Sequence, residues 1–427
     1  MMQQQAFSSS FERRSSGASS DTNIAGVLML GTMITFPRSF AEVKIALIGL
    51  FLATNLVLSL SRGRQLELRR ALPAGVFYLI VAALGIIWTG VGAINGGDPE
   101  AFADSLRLYV GWSAAYFLLI IVLRQFDATA ILHNAIVLAG IAIAVVNALG
   151  IYDFYFRIGL FPPWLLDDLS MMVGFHDGYV QVTSHNIGYL MFVGGYLIAW
   201  HCRSEGKQTG LGKLTTVSLI MTIAITIFSG RRATWLALLA TPVTILVLSI
   251  LSHSMVRTRN LGRLLAVGAV LAVVALLIAP VDETLDFVQS AFSPEDERSI
   301  QSSYLIDGFL SFPVMGSGFG MSAGYLRSDV SPWLYELTYH QILFNFGLVG
   351  TAVIAVTAWY YFRQALRVAD PARSTVKGAF ELLCGTVTFL IGTYSNPYLG
   401  SFDFLLVIAV LPLLSTYAGS EMSNRDG

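Results

Sequence analysis

Residues 214–252 read LTTVSLIMTIAITIFSGRRATWLALLATPVTILVLSILS: two apolar runs parted by a Ser-Gly break and a double arginine. Each run comes close to the roughly 20 apolar residues that a helix needs to cross a bilayer. The stretch therefore predicts a hairpin of two membrane spans with Arg231 and Arg232 at its tip. The same pattern recurs outward along the chain. Of the 427 residues, 55% are hydrophobic and 12% charged, and soluble domains carry about twice that share of charge. A soluble chain of this length could not cover its surface with so few ionic groups. Apolar runs predict about 12 helices, over about 22–37, 43–60, 73–95, 107–123, 129–149, 180–201, 214–230, 233–252, 264–281, 338–361, 378–395 and 401–419. The expected fold class is an all-α polytopic membrane protein, with a single transmembrane domain over 22–419.

Lysine and arginine set the orientation, because they accumulate in short cytoplasmic loops. With both termini inside, eight of the 26 fall on the outer side: Arg38, Lys44, Arg107, Arg157, Arg231, Arg232, Arg298 and Arg327. The other eighteen fall in inner loops or tails. The polar, Ser-rich segment 1–21 is expected to be a disordered cytoplasmic tail rather than a cleaved signal peptide, and 420–427 a second cytoplasmic tail. Two outer loops are sizeable, at about 150–179 and at 282–337, the latter between helices 9 and 10. A net charge of −1 gives no basic field for nucleic acid. Two cysteines, Cys202 and Cys384, cannot build a disulfide framework and are expected to be packing residues. No GxxxxGK[ST] motif occurs, so ATP-driven work by this chain is not expected.

The chemistry-bearing residues concentrate on the outer side. Arg231 and Arg232 either snorkel to headgroups or place two guanidiniums at the mouth of a cavity, where a bidentate fork suits phosphate or carboxylate. Arg298 and Arg327 are candidates to join them. In PVMGSGFG (313–320), Gly316, Gly318 and Gly320 permit tight turns or close approach to a ligand; a re-entry turn and a binding loop both fit, and a dinucleotide site does not. Glu336 and His340 lie four apart in ELTYHQILFNFGLVG (336–350), so a helix beginning there puts both on one face, where either suits a general base. His185 and Asn186 open the span after the outer loop that holds His176. The spacing of His176, His185 and His340 matches no metal motif, and no metal is expected.

Several of these pieces together resemble the bacterial O-antigen ligase/O-antigen polymerase superfamily (the Wzy and WaaL types). Ser229-Gly230-Arg231-Arg232-Ala-Thr-Trp-Leu236 is similar to its Ser-Arg and Arg-x3-Leu signature. Arg298, followed by Pro313-Val-Met-Gly316-Ser-Gly318-Phe-Gly320, is similar to the glycine-rich stretch of its large periplasmic loop. Phe346-Gly347-Leu-Val-Gly350 resembles its xGLxG element, and Asn186 an asparagine well before the arginines. The matched block covers about 180–350. Ligases of the superfamily carry a histidine eleven residues before the first glycine of xGLxG; here that position holds Glu336, with His340 four residues on. The departure favours a polymerase over a ligase.

The resemblance implies a multi-pass protein of the bacterial inner (cytoplasmic) membrane that polymerises undecaprenyl-diphosphate-linked repeat units on the periplasmic face. Under it, Arg231, Arg232, Arg298 and Arg327 would hold the diphosphate, and Glu336 or His340 would take the acceptor's proton. His185, Asn186, Gly316, Gly318 and Gly320 would contact glycan or shape the loops. No cofactor is implied, and a flippase and a chain-length regulator are the expected partners besides the lipid. A ligase or protein oligosaccharyltransferase of the same superfamily, or a secondary transporter or flippase, are the alternatives.

Overall fold

The computed structural model describes residues 24–61, 68–176, 179–203, 212–252, 297–327, 331–371 and 373–422, with isolated positions 262, 266 and 269. The expected span at 264–281, the tail 1–21 and the end of the tail 420–427 lie outside them. Among the described residues, six segments are helical, long and apolar enough to cross a bilayer, and shorter apolar helices accompany them. The architecture is that of an all-α protein consistent with a multi-pass membrane protein, with one departure, a β-hairpin.

In chain order the helices are α1 (Ile24–Thr35), α2 (Ala41–Ser61) and α3 (Leu68–Ile94). Then come α4 (Pro99–Leu106), joined by a π-helical turn to α5 (Trp112–Leu123), and α6 (Ala128–Phe156). A short α7 (Pro163–Leu169) precedes the antiparallel pair β1 (Met172–His176) and β2 (Tyr179–Thr183). After a 3-10 turn over His185–Tyr189 follow α8 (Leu190–Arg203), α9 (Gly212–Phe228) and α10 (Arg232–Leu251). The last four are α11 (Glu297–Ser311), α12 (Thr338–Ala369), α13 (Ala379–Gly392) and α14 (Leu405–Met422).

The differences from the expected spans have local causes. The run at 180–201 is not one helix: Val180 and Val182 alternate inward as strand β2, and helix begins only at Leu190. The span expected at 107–123 starts earlier, because Asp98 caps a helix opened by Pro99, its carboxylate accepting from the Glu100 N–H at 2.8 Å. Similarly, Asp127 caps α6 by accepting from Ala130 N–H at 3.0 Å. At 29 residues, α6 is about 43 Å long at 1.5 Å per residue and outreaches a hydrocarbon core of about 30 Å. The loop expected over 282–337 contains α11, and the tail expected from 420 opens with the last turn of α14.

Helix α8 sits at the centre, packed against α6, α9, α10 and α13. Leu190–Ala199 are buried on every face, as a helix apolar all round requires. Water gives no drive for helices to associate within lipid, so close packing and buried hydroxyls must supply it. Gly195 lets α13 approach so closely that a Cβ there would lie 2.7 Å from Thr388 Cβ. Across α10 and α13, the hydroxyls of Thr241 and Thr388 meet at 3.3 Å. The outer helices α2, α3 and α12 instead leave Leu50, Leu79 and Val356 exposed, as lipid-facing positions are.

The helix ends place the segments 36–40, 95–98, 157–176, 179–189, 229–231, 297–327, 331–337 and 393–404 in one layer, where they bond to one another. The opposite end has its own pairs. Arg203 faces Glu381 at 3.9 Å, and Arg124 covers the Tyr417 ring at 3.7 Å.

Candidate functional site

The Ser-Gly-Arg-Arg turn is built by its own sequence. Helix α9 stops at Phe228, and Gly230 adopts a left-handed φ of 59° against the side chain of Gln181 on β2. Arg231 then takes an extended conformation as N-cap of α10, its N–H donating to Ser229 Oγ at 3.3 Å. The half-buried Arg231 acts electrostatically on Tyr398, and its Nε is buried with no partner among the described residues. Arg232 supplies the first backbone position of α10; its side chain lies outside the described residues.

A second arginine comes within electrostatic range of Arg231 there. Arg38, in the α1–α2 turn, has a left-handed φ of 66°, and Phe40 one of 52°, each costing a non-glycine residue about 1–3 kcal/mol. Two carboxylates hold this turn. Asp403 Oδ2 accepts the Arg38 N–H at 2.8 Å, and Asp168 Oδ2 accepts the Phe40 N–H at 3.2 Å. Lys44, on the first turn of α2, pairs with Asp403 at 2.6 Å and donates to Phe36 O at 2.8 Å. The backbone of Phe402 and Asp403 in turn accepts from Tyr116 and Tyr189. The Arg38 guanidinium donates to Pro397 O at 3.2 Å and keeps a solvent-accessible edge. Crowding by protein nevertheless lowers its pKa below the usual arginine value, with Arg327 and Arg231 adding to this and Tyr398 and Asp403 opposing it.

His185 completes the group. It opens the 3-10 turn behind Ser184, whose hydroxyl donates to Asn147 Oδ1 at 2.8 Å and to Asn186 Oδ1 at 2.6 Å, while Asn147 Nδ2 donates to Asn186 Oδ1 at 2.8 Å. Asn186 is 1% exposed, so it fixes the turn from beneath and offers a glycan no surface. The His185 ring is half-buried, and its Nδ1 is buried without a partner among the described residues. Burial lowers the imidazole pKa, Arg38, Arg231 and Lys44 lower it further, and Asp168 opposes them.

Glu336 and His340 do not share a helical face, because α12 begins at Thr338 and leaves Glu336 outside it. Gln301 Oε1 on α11 accepts from the N–H groups of Glu336 and Leu337, at 2.9 and 3.2 Å, and so caps the entry to α12. The Glu336 carboxylate is shared between Arg298 Nε at 3.3 Å and Arg327 Nη2 at 2.8 Å. Three of the expected site residues thus form one ion-pair triad, in which each carboxylate oxygen faces a guanidinium. His340 lies in the first turn of α12, half-buried, its ring centroid 6.0 Å from that of Tyr394.

The three glycines of PVMGSGFG approach backbone, not open space. All have φ between 76° and 81°. Gly316 packs on the backbone of Asn345 and Gly347, Gly318 on Gly92, and Gly320 on Asp98. The loop also completes a break in α12, where Gly347 takes φ 59° and ψ −165°. Leu348 N–H donates to Pro313 O at 2.9 Å, Val349 N–H to Val314 O at 3.0 Å, and Gly318 N–H to Asn345 O at 3.0 Å. These two motifs are therefore one interlock, which carries α11 and the Arg298–Glu336–Arg327 triad.

Sequence reading missed Arg38 as a site residue, along with Lys44, Tyr398 and Asp403. The available signal was that Arg38 and Lys44 belong to the small set of basic residues that the loop pattern assigns to the outer side. Among the described residues, neither Arg38 nor Arg231 has a carboxylate within ion-pair distance of its guanidinium, and the amino end of α10 lies beside Arg231. Such a group can hold an oxyanion through charge, guanidinium forks and free helix N–H groups. No cluster of three metal-ligating side chains occurs among the described residues. Comparison with family models, curated proteins and solved structures returns no match.

Proposed function

We propose that this chain is a glycosyltransferase of the bacterial inner membrane, polymerising polyprenyl-diphosphate-linked repeat units on the outer face of that membrane into a surface or secreted polysaccharide. One observation carries the reading: Arg231, from the motif that prompted the resemblance, lies with Arg38, Tyr398 and His185 in a loop layer at the end of an apolar helix bundle. An anionic headgroup on a long apolar tail is the ligand whose two halves match those two surroundings. The remaining features of the reading are about twelve spans, both termini inside, and a flippase and chain-length regulator as pathway partners.

In this mechanism Arg38 and Arg231, with Arg232 next to Arg231 in sequence, hold the diphosphate and stabilise charge as it develops on the leaving oxygen. Fixed donors in a poorly hydrated site contribute several kcal/mol in this way, and losing one costs about 10²–10³-fold in rate. The diphosphate donor is already activated, so the reaction needs neither nucleotide nor ATP.

The test is deletion of the gene in its host, complemented with wild-type or Arg231→Ala protein, followed by electrophoresis of lipid-linked and surface glycans. Loss of long polymer, with single repeat units still present and no rescue by Arg231→Ala, is the expected result. Full-length polymer stranded on the lipid carrier would replace the polymerase with a ligase. Unchanged glycans would overturn both.

A further inference from the structure

Glycosyl transfer to a hydroxyl needs a group that takes the hydroxyl's proton. Glu336 is poorly placed for it, since both of its oxygens already face guanidiniums, those of Arg298 and Arg327. His340 stands near Tyr394, and no charged group among the described residues acts on it. His185 differs from both. It lies within electrostatic range of Arg38 and Arg231, neither of which has a carboxylate at ion-pair distance among the described residues, and of Lys44 and Asp168. Its Nδ1, like that of His340, is buried with no hydrogen-bond partner among the described residues, but only the turn of His185 is locked by the buried Ser184–Asn147–Asn186 network. A half-buried ring on a rigid support, within electrostatic range of the two guanidiniums, is the arrangement that general-base catalysis asks for.

Resting on the polymerase reading, we propose that His185 is the general base, accepting the acceptor sugar's hydroxyl proton while Arg38 and Arg231 hold the departing diphosphate. The acceptor oxygen forms a bond to the donor's anomeric carbon as the bond from that carbon to the diphosphate oxygen breaks. The electron pair leaves with the polyprenyl diphosphate. The proton passes to the imidazole and from there to water, so nothing is oxidised or reduced. The free site keeps the imidazole neutral and able to accept. The arriving diphosphate then offsets Arg38 and Arg231, removing the repulsion that opposes a proton on His185. Substrate binding thereby strengthens the base that will act on it.

The experiment uses the full chain in liposomes with a polyprenyl-diphosphate-linked repeat unit, comparing wild type, His185→Gln, His340→Gln and Glu336→Gln. Two readouts are taken, the pH dependence of chain extension and the affinity for polyprenyl diphosphate. General-base loss is worth about 10²–10⁴-fold in rate. His185→Gln is expected to lose that much, to bind the diphosphate as wild type does, and to lack the fall in rate expected of wild type as pH drops from about 8 to about 5. His340→Gln and Glu336→Gln are expected to keep that fall. If His185→Gln keeps it, if another variant loses it, or if His185→Gln loses diphosphate binding instead, His185 is not the base. A wild-type protein that binds the diphosphate but extends no chain would defeat the polymerase reading itself, and this proposal with it.

Discussion

Replacing Lys44 by Met tests the support beneath Arg38. Lys44 and Asp403 are 3% and 5% exposed, and their charged atoms lie 2.6 Å apart. Asp403 Oδ2 also accepts the Arg38 N–H, while Oδ1 is buried with no partner among the described residues. Methionine keeps much of the lysine's volume and removes the cation, leaving a buried carboxylate uncompensated, which costs about 3–5 kcal/mol. Asp403→Asn alone strands the ammonium at a similar cost. The double replacement leaves no charge, and neutral substitutes for a buried pair are often tolerated, so it should lie within about 2 kcal/mol of wild type. The assay is unfolding in mixed micelles with rising SDS fraction, followed by circular dichroism. The sign with pH is also determined. Burial raises the Asp403 pKa, and Lys44 opposes that rise. Without Lys44 the folded-state pKa rises further, so the folded state favours the protonated acid. The deficit of Lys44→Met is then complete above that pKa and fades as pH falls through it. Wild-type stability in Lys44→Met, or a double variant as unstable as the two singles summed, would refute this account.

Three further changes separate structure from function. Gly347→Ala puts a side chain into a conformation essentially restricted to glycine, with its Cβ 2.6 Å from Val314 O, and breaks the backbone bonds to Pro313 and Val314. The expected loss is roughly 2–5 kcal/mol, against a gain of up to about 1 kcal/mol for Gly49→Ala, where a Cβ meets nothing within 4 Å; the same SDS titration reads both. Arg38→Gly relieves a left-handed φ and removes a guanidinium, so stability should stay within about 1 kcal/mol of wild type while affinity for polyprenyl diphosphate drops about tenfold or more. A parallel fall in both quantities would mean that Arg38 is structural.

Membrane character was legible because its cause is one-dimensional. A span needs a long run of apolar residues whatever surrounds it, and Ser229-Gly230 between two such runs marks a turn wherever it sits. Arg231 could be singled out for the same reason, since a cation between apolar runs is anomalous on sequence alone. The boundaries were less legible where lipid and protein interior look alike. Val180 and Val182 read as the start of a helix because apolar burial in a strand and in a span use the same residues.

The amino-acid order by itself determined the apolar helices, the turn between two of them that holds Arg231, and the left-handed conformations that Gly316, Gly318 and Gly320 permit. Only the tertiary structure decided what those features meet. It placed Arg38 beside Arg231, nearly two hundred positions apart in the chain, and gave Glu336 to two arginines. It turned the glycine loop into the partner of the Gly347 break and left His185 with a free ring nitrogen beside the arginines. Charge pairing and backbone satisfaction depend on distance in space, which falls off over a few ångströms, and separation along the chain carries almost no information about that distance.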